Sequence, residues 1–285
     1  MILVVGGTGR LGSSVVATLL AEGHEVRVLA RGRRPAPAGI TGAQWVTGSV
    51  TDSGVLARAV DGVGVVVSAF TGFPSASPTR VDSEGTAAVV HAAERVGARM
   101  VFLSVAGASA DAPLELFRAK YAAESAVKSS DLEWTIIRPD AFADLWIELL
   151  TRTARRTHRP LVFGRGDNPT GWVAVRDVTA LTVRAAETTT LCGRSLTISG
   201  PQRLTATELA SHVMAAQHWP DSPRHLPAAM LRAASMLPGA PGRQAQAALA
   251  LETLPPVVDD ARPAVPQLPC TTVDALLMTA PAEPA

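Results

Sequence analysis

The chain has 285 residues, 47% hydrophobic and 18% charged, enough apolar content to bury a core and too much for a disordered chain. Its 26 basic and 25 acidic residues leave a net charge of +1, and aromatics are only 4%, so neither bulk charge nor base stacking points to nucleic acid or an anionic membrane. Six Phe and five Trp stand against one tyrosine, so any tyrosine chemistry must use Tyr121 or do without.

Ile2 to Val5 is a β-branched run that stops at Gly6-Gly7, as a buried parallel strand does. Leu11, Val15, Val16, Leu19 and Leu20 have helical spacing over 10–22, and Gly23 ends that helix. Strands are predicted over 24–30 and 43–47, with a Gly-, Pro- and Arg-rich loop at 31–42 between them. Thr51-Asp52 caps a helix over 53–60, and strand 63–69 follows. A helix over 79–97, a strand over 100–104, a helix over 114–129 and a strand over 134–137 continue the alternation up to Pro139. The expected fold class is therefore α/β, a Rossmann-type doubly wound parallel sheet.

Beyond Pro139 the rhythm loosens. Helices are predicted over 140–155, 176–187 and 205–217, with short strands over 172–175 and 195–199. Thirteen of the 21 prolines follow residue 200, and two Ala-rich helices (226–236 and 242–253) precede an extended run over 255–269. We divide the chain into a nucleotide-binding core, 1–155, and a small substrate-side region, 156–285, interleaved with it and Pro/Ala-rich from about 220.

Cys192 and Cys270 are far apart, the six histidines are scattered, and there is no CxxC or HExxH spacing. No metal site is expected, and a cytoplasmic protein is the simple reading. No apolar run approaches the ~20 residues of a membrane span.

Gly6-Gly7-Thr8-Gly9-Arg10-Leu11-Gly12 joins the first strand to the first helix and fits both GxxGxxG and GxGxxG. Glycines there permit the turn, the approach of a pyrophosphate and close helix packing, with the phosphates on the helix N-terminus. We read Gly6, Thr8, Gly9, Arg10, Leu11 and Gly12 as cofactor-binding. The second strand ends at Ala30-Arg31, with Arg33 and Arg34 close behind, where an NAD-specific fold usually places an acid. Guanidinium groups suit a 2′-phosphate, so NADP(H) is expected in preference to NAD(H).

With these pieces the chain resembles an atypical short-chain dehydrogenase/reductase of the NmrA-like NAD(P)-binding group, over about residues 1–215. Gly48-Ser49-Val50-Thr51-Asp52 is similar to the segment bordering the adenine, with Ser49 replacing an acid, and Ser68-Ala69-Phe70-Thr71-Gly72 to the segment lining ribose and phosphates. The resemblance thus adds Ser49, Val50, Ala69, Phe70, Thr71 and Lys120 to the cofactor set. Lys120-x-x-x-Glu124, Trp134 to Pro139, Val175-Arg176-Asp177-Val178 and Ser199-Gly200-Pro201 match later landmarks.

The resemblance also implies a Tyr-x-x-x-Lys pair beside a serine, the tyrosine handling the proton that accompanies hydride transfer. Ser104 and Lys120 stand in the serine and lysine positions and are the catalytic candidates, but Leu116 occupies the tyrosine position. Tyr121 lies one residue past the lysine, about 100° around the helix. Three readings stay open: an NADPH-dependent reductase in which Lys120 or water supplies the proton; a reductase of a quinone-like acceptor that needs no strong acid; and a non-catalytic NADP(H)-binding redox sensor acting on a protein partner. A small, flat, apolar substrate would meet Phe142 and Trp146, residues that helical spacing equally allows as core. Asp140, Asp144, His158, Trp172 and Asp177 are read as structural.

Overall fold

The computed structural model describes residues 1–32, 40–220, 222–255, 257 and 260–279. In chain order the strands and helices are β1 (Ile2–Val5), α1 (Arg10–Ala21), β2 (Val26–Ala30), β3 (Gln44–Thr47), α2 (Ser53–Val60) and β4 (Val65–Ser68). A π-helical turn, Thr79–Glu84, leads into α3 (Gly85–Glu94), then β5 (Arg99–Leu103), α4 (Glu115–Lys128) and β6 (Trp134–Pro139). The second half holds α5 (Ala143–Ala154), β7 (Leu161–Phe163), β8 (Thr170–Gly171), α6 (Val175–Glu187), β9 (Arg194–Ile198) and β10 (Arg203–Leu204). It ends with α7 (Ala206–Ala216), β11 (Arg224–Leu226), α8 (Ala228–Ser235), α9 (Ala240–Leu251) and α10 (Val273–Thr279).

Seven strands form one sheet in the order β3-β2-β1-β4-β5-β6-β9, and every pairing is parallel. The reason is legible in the strands. Ile2 and Val4 enter one core, with Val15, Val16 and Leu19 of α1 and Leu181 of α6. Leu3 and Val5 enter the other, with Leu56 of α2, Val89 of α3 and Val127 of α4. Both faces are covered, so the strands read as unbroken apolar runs rather than alternating ones. The strand order reverses between β1 and β4, and in such sheets ligands bind outside the strand C-termini at that crevice.

The C-terminal residues form a lobe. Trp146, Trp172, Leu209 and Val273 share a third cluster, and α8 and α9 form a hairpin around Leu231, Ala245 and Ala248. The expected strand over 172–175 is absent: Val173 makes only an isolated bridge to Phe142, while the Trp172 indole N–H donates to the Leu204 carbonyl at 2.8 Å. Nor is 255–269 merely extended. Among its described residues Ala261 and Val265 are buried in the sheet core, and the Ala261 N–H donates to the Thr197 carbonyl at 2.7 Å. Among the described residues no helix is long and apolar enough to cross a membrane.

Candidate functional site

The first βα turn is built on spaces that admit no side chain. Gly6 has φ +88°, and a Cβ there would lie 2.9 Å from the Phe70 backbone. A Cβ on Gly12 would come within 2.3 Å of the Gly6 carbonyl oxygen. Gly9 caps α1 in an extended conformation and its carbonyl accepts the first helical hydrogen bond, from Ser13 at 2.8 Å. The next N–H groups open toward the C-terminal edge of the sheet, a ready anion site.

A cleft of about 360 Å³ lies over this turn. Gly6, Thr8 and Gly9 line it beside Arg31, Ser49, Val50, Ala69, Phe70 and Thr71. The structure thus gathers most of the expected cofactor residues around one cleft. Arg10, Leu11 and Gly12 do not line it: Arg10 ion-pairs with Glu148 of α5, and Leu11 packs against the sheet core. Arg34 and Arg33 lie outside the described residues. The glycine cradle and the open cleft above the helix N-terminus fit a dinucleotide.

Below the cleft is a buried polar layer. Lys120 of α4 is 4% exposed. Its Nζ donates to the carbonyls of Phe70 (3.2 Å) and Leu103 (3.0 Å) and lies 3.1 Å from Asp82 Oδ1. Ser104, at the end of β5, donates to Glu124 Oε1 at 2.6 Å. Glu124 also accepts from Arg138 Nε at 2.8 Å, from a second Arg138 nitrogen, and from Lys128 at 3.2 Å. Burial raises the Glu124 pKa, but the hydrogen bonds from Arg138 and Ser104 outweigh it and leave the carboxyl below its ordinary range. Both catalytic candidates are thus engaged with buried carboxylates. Asp82 escaped the sequence reading. Its signal is an acid in the segment that opens the helix before Gly85-Thr86, and it is the one buried residue of that π-helical turn.

Leu116 is half-buried on α4, and Tyr121 is 39% exposed while its neighbour Lys120 is enclosed. Phe142 and Trp146 do not converge: Phe142 packs on the sheet core, while Trp146 lies in the lobe, edge-on to Phe163 and Trp172 at 6.4 and 5.7 Å. Between the α1–β2 turn and the end of α6, Glu22, His24 and Glu187 bring potential ligand atoms within 4.8 Å of one another, with His24 Nε2 2.8 Å from Glu187.

Residues 6–189 match the NAD(P)H-binding family. Among curated relatives, a (4-alkanoyl-5-oxo-2,5-dihydrofuran-3-yl)methyl phosphate reductase of Streptomyces griseus is 36% identical over 73% of this chain and 71% of its own. An NAD(P)H azoreductase of Xenophilus azovorans is 30% identical over 76% and 73%. An NADPH-dependent quinone oxidoreductase of Escherichia coli, solved with NADPH, superposes with a TM-score of 0.78 at 20% identity, covering 98% of this chain and 99% of that one. The chain belongs to the NAD(P)H-binding family, within the NmrA-like group of atypical short-chain dehydrogenase/reductases.

Proposed function

We propose that the protein is an NADPH-dependent reductase of a small acceptor with an electron-poor double bond. The observation that carries this is the state of the α4 side chains: Leu116 cannot transfer a proton, and the Lys120 ammonium is spent on Phe70, Leu103 and Asp82. A site with no committed acid suits an acceptor whose own electron demand draws hydride and whose product is protonated by water. The relatives' names fit that chemistry: an acyl dihydrofuranone, an azo compound and a quinone are all electron-poor, and the first bears a phosphate.

A bound nicotinamide dinucleotide supplies the hydride. Gly6, Thr8 and Gly9, at the N-terminus of α1, would hold its diphosphate, and Ser49, Val50 and Phe70 would flank the nucleoside. Arg31, exposed in the cleft just past the end of β2, with no acid among the described lining residues, favours the 2′-phosphate of NADP(H). Ser104, steadied by Glu124, and Lys120, which holds the Phe70 carbonyl, support the cleft from beneath. A cytoplasmic setting suits the two free cysteines.

The test follows 340 nm absorbance with NADPH or NADH against quinones, azo dyes, enones and simple ketones. Turnover of the conjugated acceptors with NADPH, and none of the ketones, is expected. Tight NADPH binding with no turnover of any acceptor would favour the second reading, a non-catalytic NADP(H) sensor, to which the engagement of Ser104 and Lys120 also lends weight. Tighter binding of NADH than of NADPH would remove the role given to Arg31.

A further inference from the structure

The α8–α9 hairpin lies beyond the family match yet touches a loop that lines the cleft. Arg243, on the first turn of α9, donates from Nε to the Pro74 carbonyl at 2.6 Å, and Pro74 lines the cleft with Phe73 and Ser75. The arginine is set there firmly. A Cβ on the preceding Gly242 would lie 1.9 Å from the Leu237 carbonyl oxygen, so α9 starts hard against the end of α8. The far end of α9 is tied down as well: Asn168 donates to the carbonyls of Leu251 and Leu254 at 2.6 and 3.1 Å, and Glu252 accepts the Arg165 N–H at 2.6 Å.

One edge of this guanidinium is committed and the other is not. Among the described residues its two terminal nitrogens have no hydrogen-bond or ion-pair partner, although the side chain is half-buried. Glu115, an acid that reaches the same loop, takes up the Ser77 and Thr79 hydroxyls at 3.2 and 3.1 Å instead. Residues 222–251 carry three arginines and no Asp or Glu, so the hairpin provides no counter-charge of its own. A fixed, partly desolvated guanidinium fork beside a ligand cleft matches a phosphate, which it can bind through two parallel N–H groups.

We propose that Arg243 is an anion-recognition residue that takes a phosphate group of the ligand bound in the cleft. The proposal rests on the dinucleotide-cleft reading above. The phosphate comes from the dinucleotide itself or from a phosphorylated acceptor, and the experiment separates the two.

Full-length wild type, Arg243→Gln and Arg243→Lys are titrated with NADPH by fluorescence. The same proteins, free and NADPH-saturated, are titrated by calorimetry with 1-naphthyl phosphate and with 1-naphthol. Arg232→Gln, an exposed change on α8, is the control, and thermal unfolding verifies the fold of each variant. Arg243→Gln is expected to weaken one phosphate ligand about tenfold, the scale of a lost charge-assisted hydrogen bond, with 1-naphthol unchanged and Arg243→Lys in between. Weakened NADPH assigns the dinucleotide; weakened naphthyl phosphate alone assigns the acceptor. If Arg243→Gln binds NADPH and naphthyl phosphate as wild type does, the proposal fails while the cleft reading stands. If wild type binds no NADPH, the cleft reading fails, and naphthyl phosphate against 1-naphthol on the free protein still decides the arginine.

Discussion

Lys120 Nζ stands 3.1 Å from Asp82 Oδ1, and both side chains are withdrawn from water, at 5% and 0% exposure. The pair joins α4 to the π-helical turn before α3, and the same ammonium holds the Phe70 and Leu103 carbonyls. It therefore braces the ends of β4 and β5 on which the cleft stands.

Removing one charge strands the other. Lys120→Met is expected to cost about 3–5 kcal/mol, the range for breaking a buried pair, measured by urea unfolding. The double variant Asp82→Asn/Lys120→Met should be more stable than Lys120→Met alone, since no lone charge remains. A Lys120→Met protein within about 1 kcal/mol of wild type, the ceiling for an exposed pair, would show that the pair carries no such load.

Glu124 gathers Ser104, Arg138 and Lys128, and its carboxyl is held below the ordinary range because those partners outweigh its burial. A depressed carboxylate stabilises the fold above its unfolded pKa, about 4.3, and loses that contribution as pH falls through the folded value. Glu124→Gln should lower stability by about 3 kcal/mol at pH 7. The gap to wild type should narrow on acidification, as read from denaturation midpoints between pH 7 and pH 3. A gap independent of pH would assign the loss to packing instead.

The sheet and its glycine turn were legible because their causes are local. Leu3 and Val5 need apolar partners on one face and Ile2 and Val4 on the other, and Gly6 must turn at positive φ. Asp52 was legible as a cap, and its Oδ1 accepts the Gly54 and Val55 N–H groups at 2.9 and 3.1 Å. The polar layer was not, since Lys120 and Asp82 are 38 residues apart and no spacing rule joins them. Nor was the course of the tail: Ala261 and Val265 are too few to set a period, and what fixes them lies on α6.

That anchor is Asp177. Buried on the first turn of α6, it accepts the Thr271 N–H and hydroxyl at 2.9 and 2.6 Å and an Arg262 nitrogen at 3.1 Å. Arg262 in turn donates to the Ser199 carbonyl at 2.6 Å, beyond the end of β9. Asp177→Ala should release this strap before it unfolds the sheet. Hydrogen exchange at Ala261 and Thr271 should speed up by about tenfold or more, with β1 and β4 amides protected as before. Equal acceleration across the sheet would mean that the strap and the core open as one unit.

Asp140 runs opposite to Glu124. It follows the last residue of β6, and burial raises its pKa against the hydrogen bonds it receives, among them the Ala141 N–H at 2.8 Å and the Ser199 hydroxyl at 2.9 Å. A carboxyl whose folded pKa is raised costs stability once ionised. The cost is absent below the unfolded value, about 3.9, and complete above the folded one. Wild type should therefore gain on Asp140→Asn as pH falls, and the asparagine variant should be no less stable at pH 7. Ser199→Ala sharpens the test, because the hydroxyl serves the ionised form. Its loss should cost about 1 kcal/mol at pH 7 and less at pH 3, below the unfolded value, measured by urea unfolding. If Ser199→Ala costs the same at both pH values, Asp140 does not titrate between them, and the serine acts only through its contact with the Gly171 carbonyl.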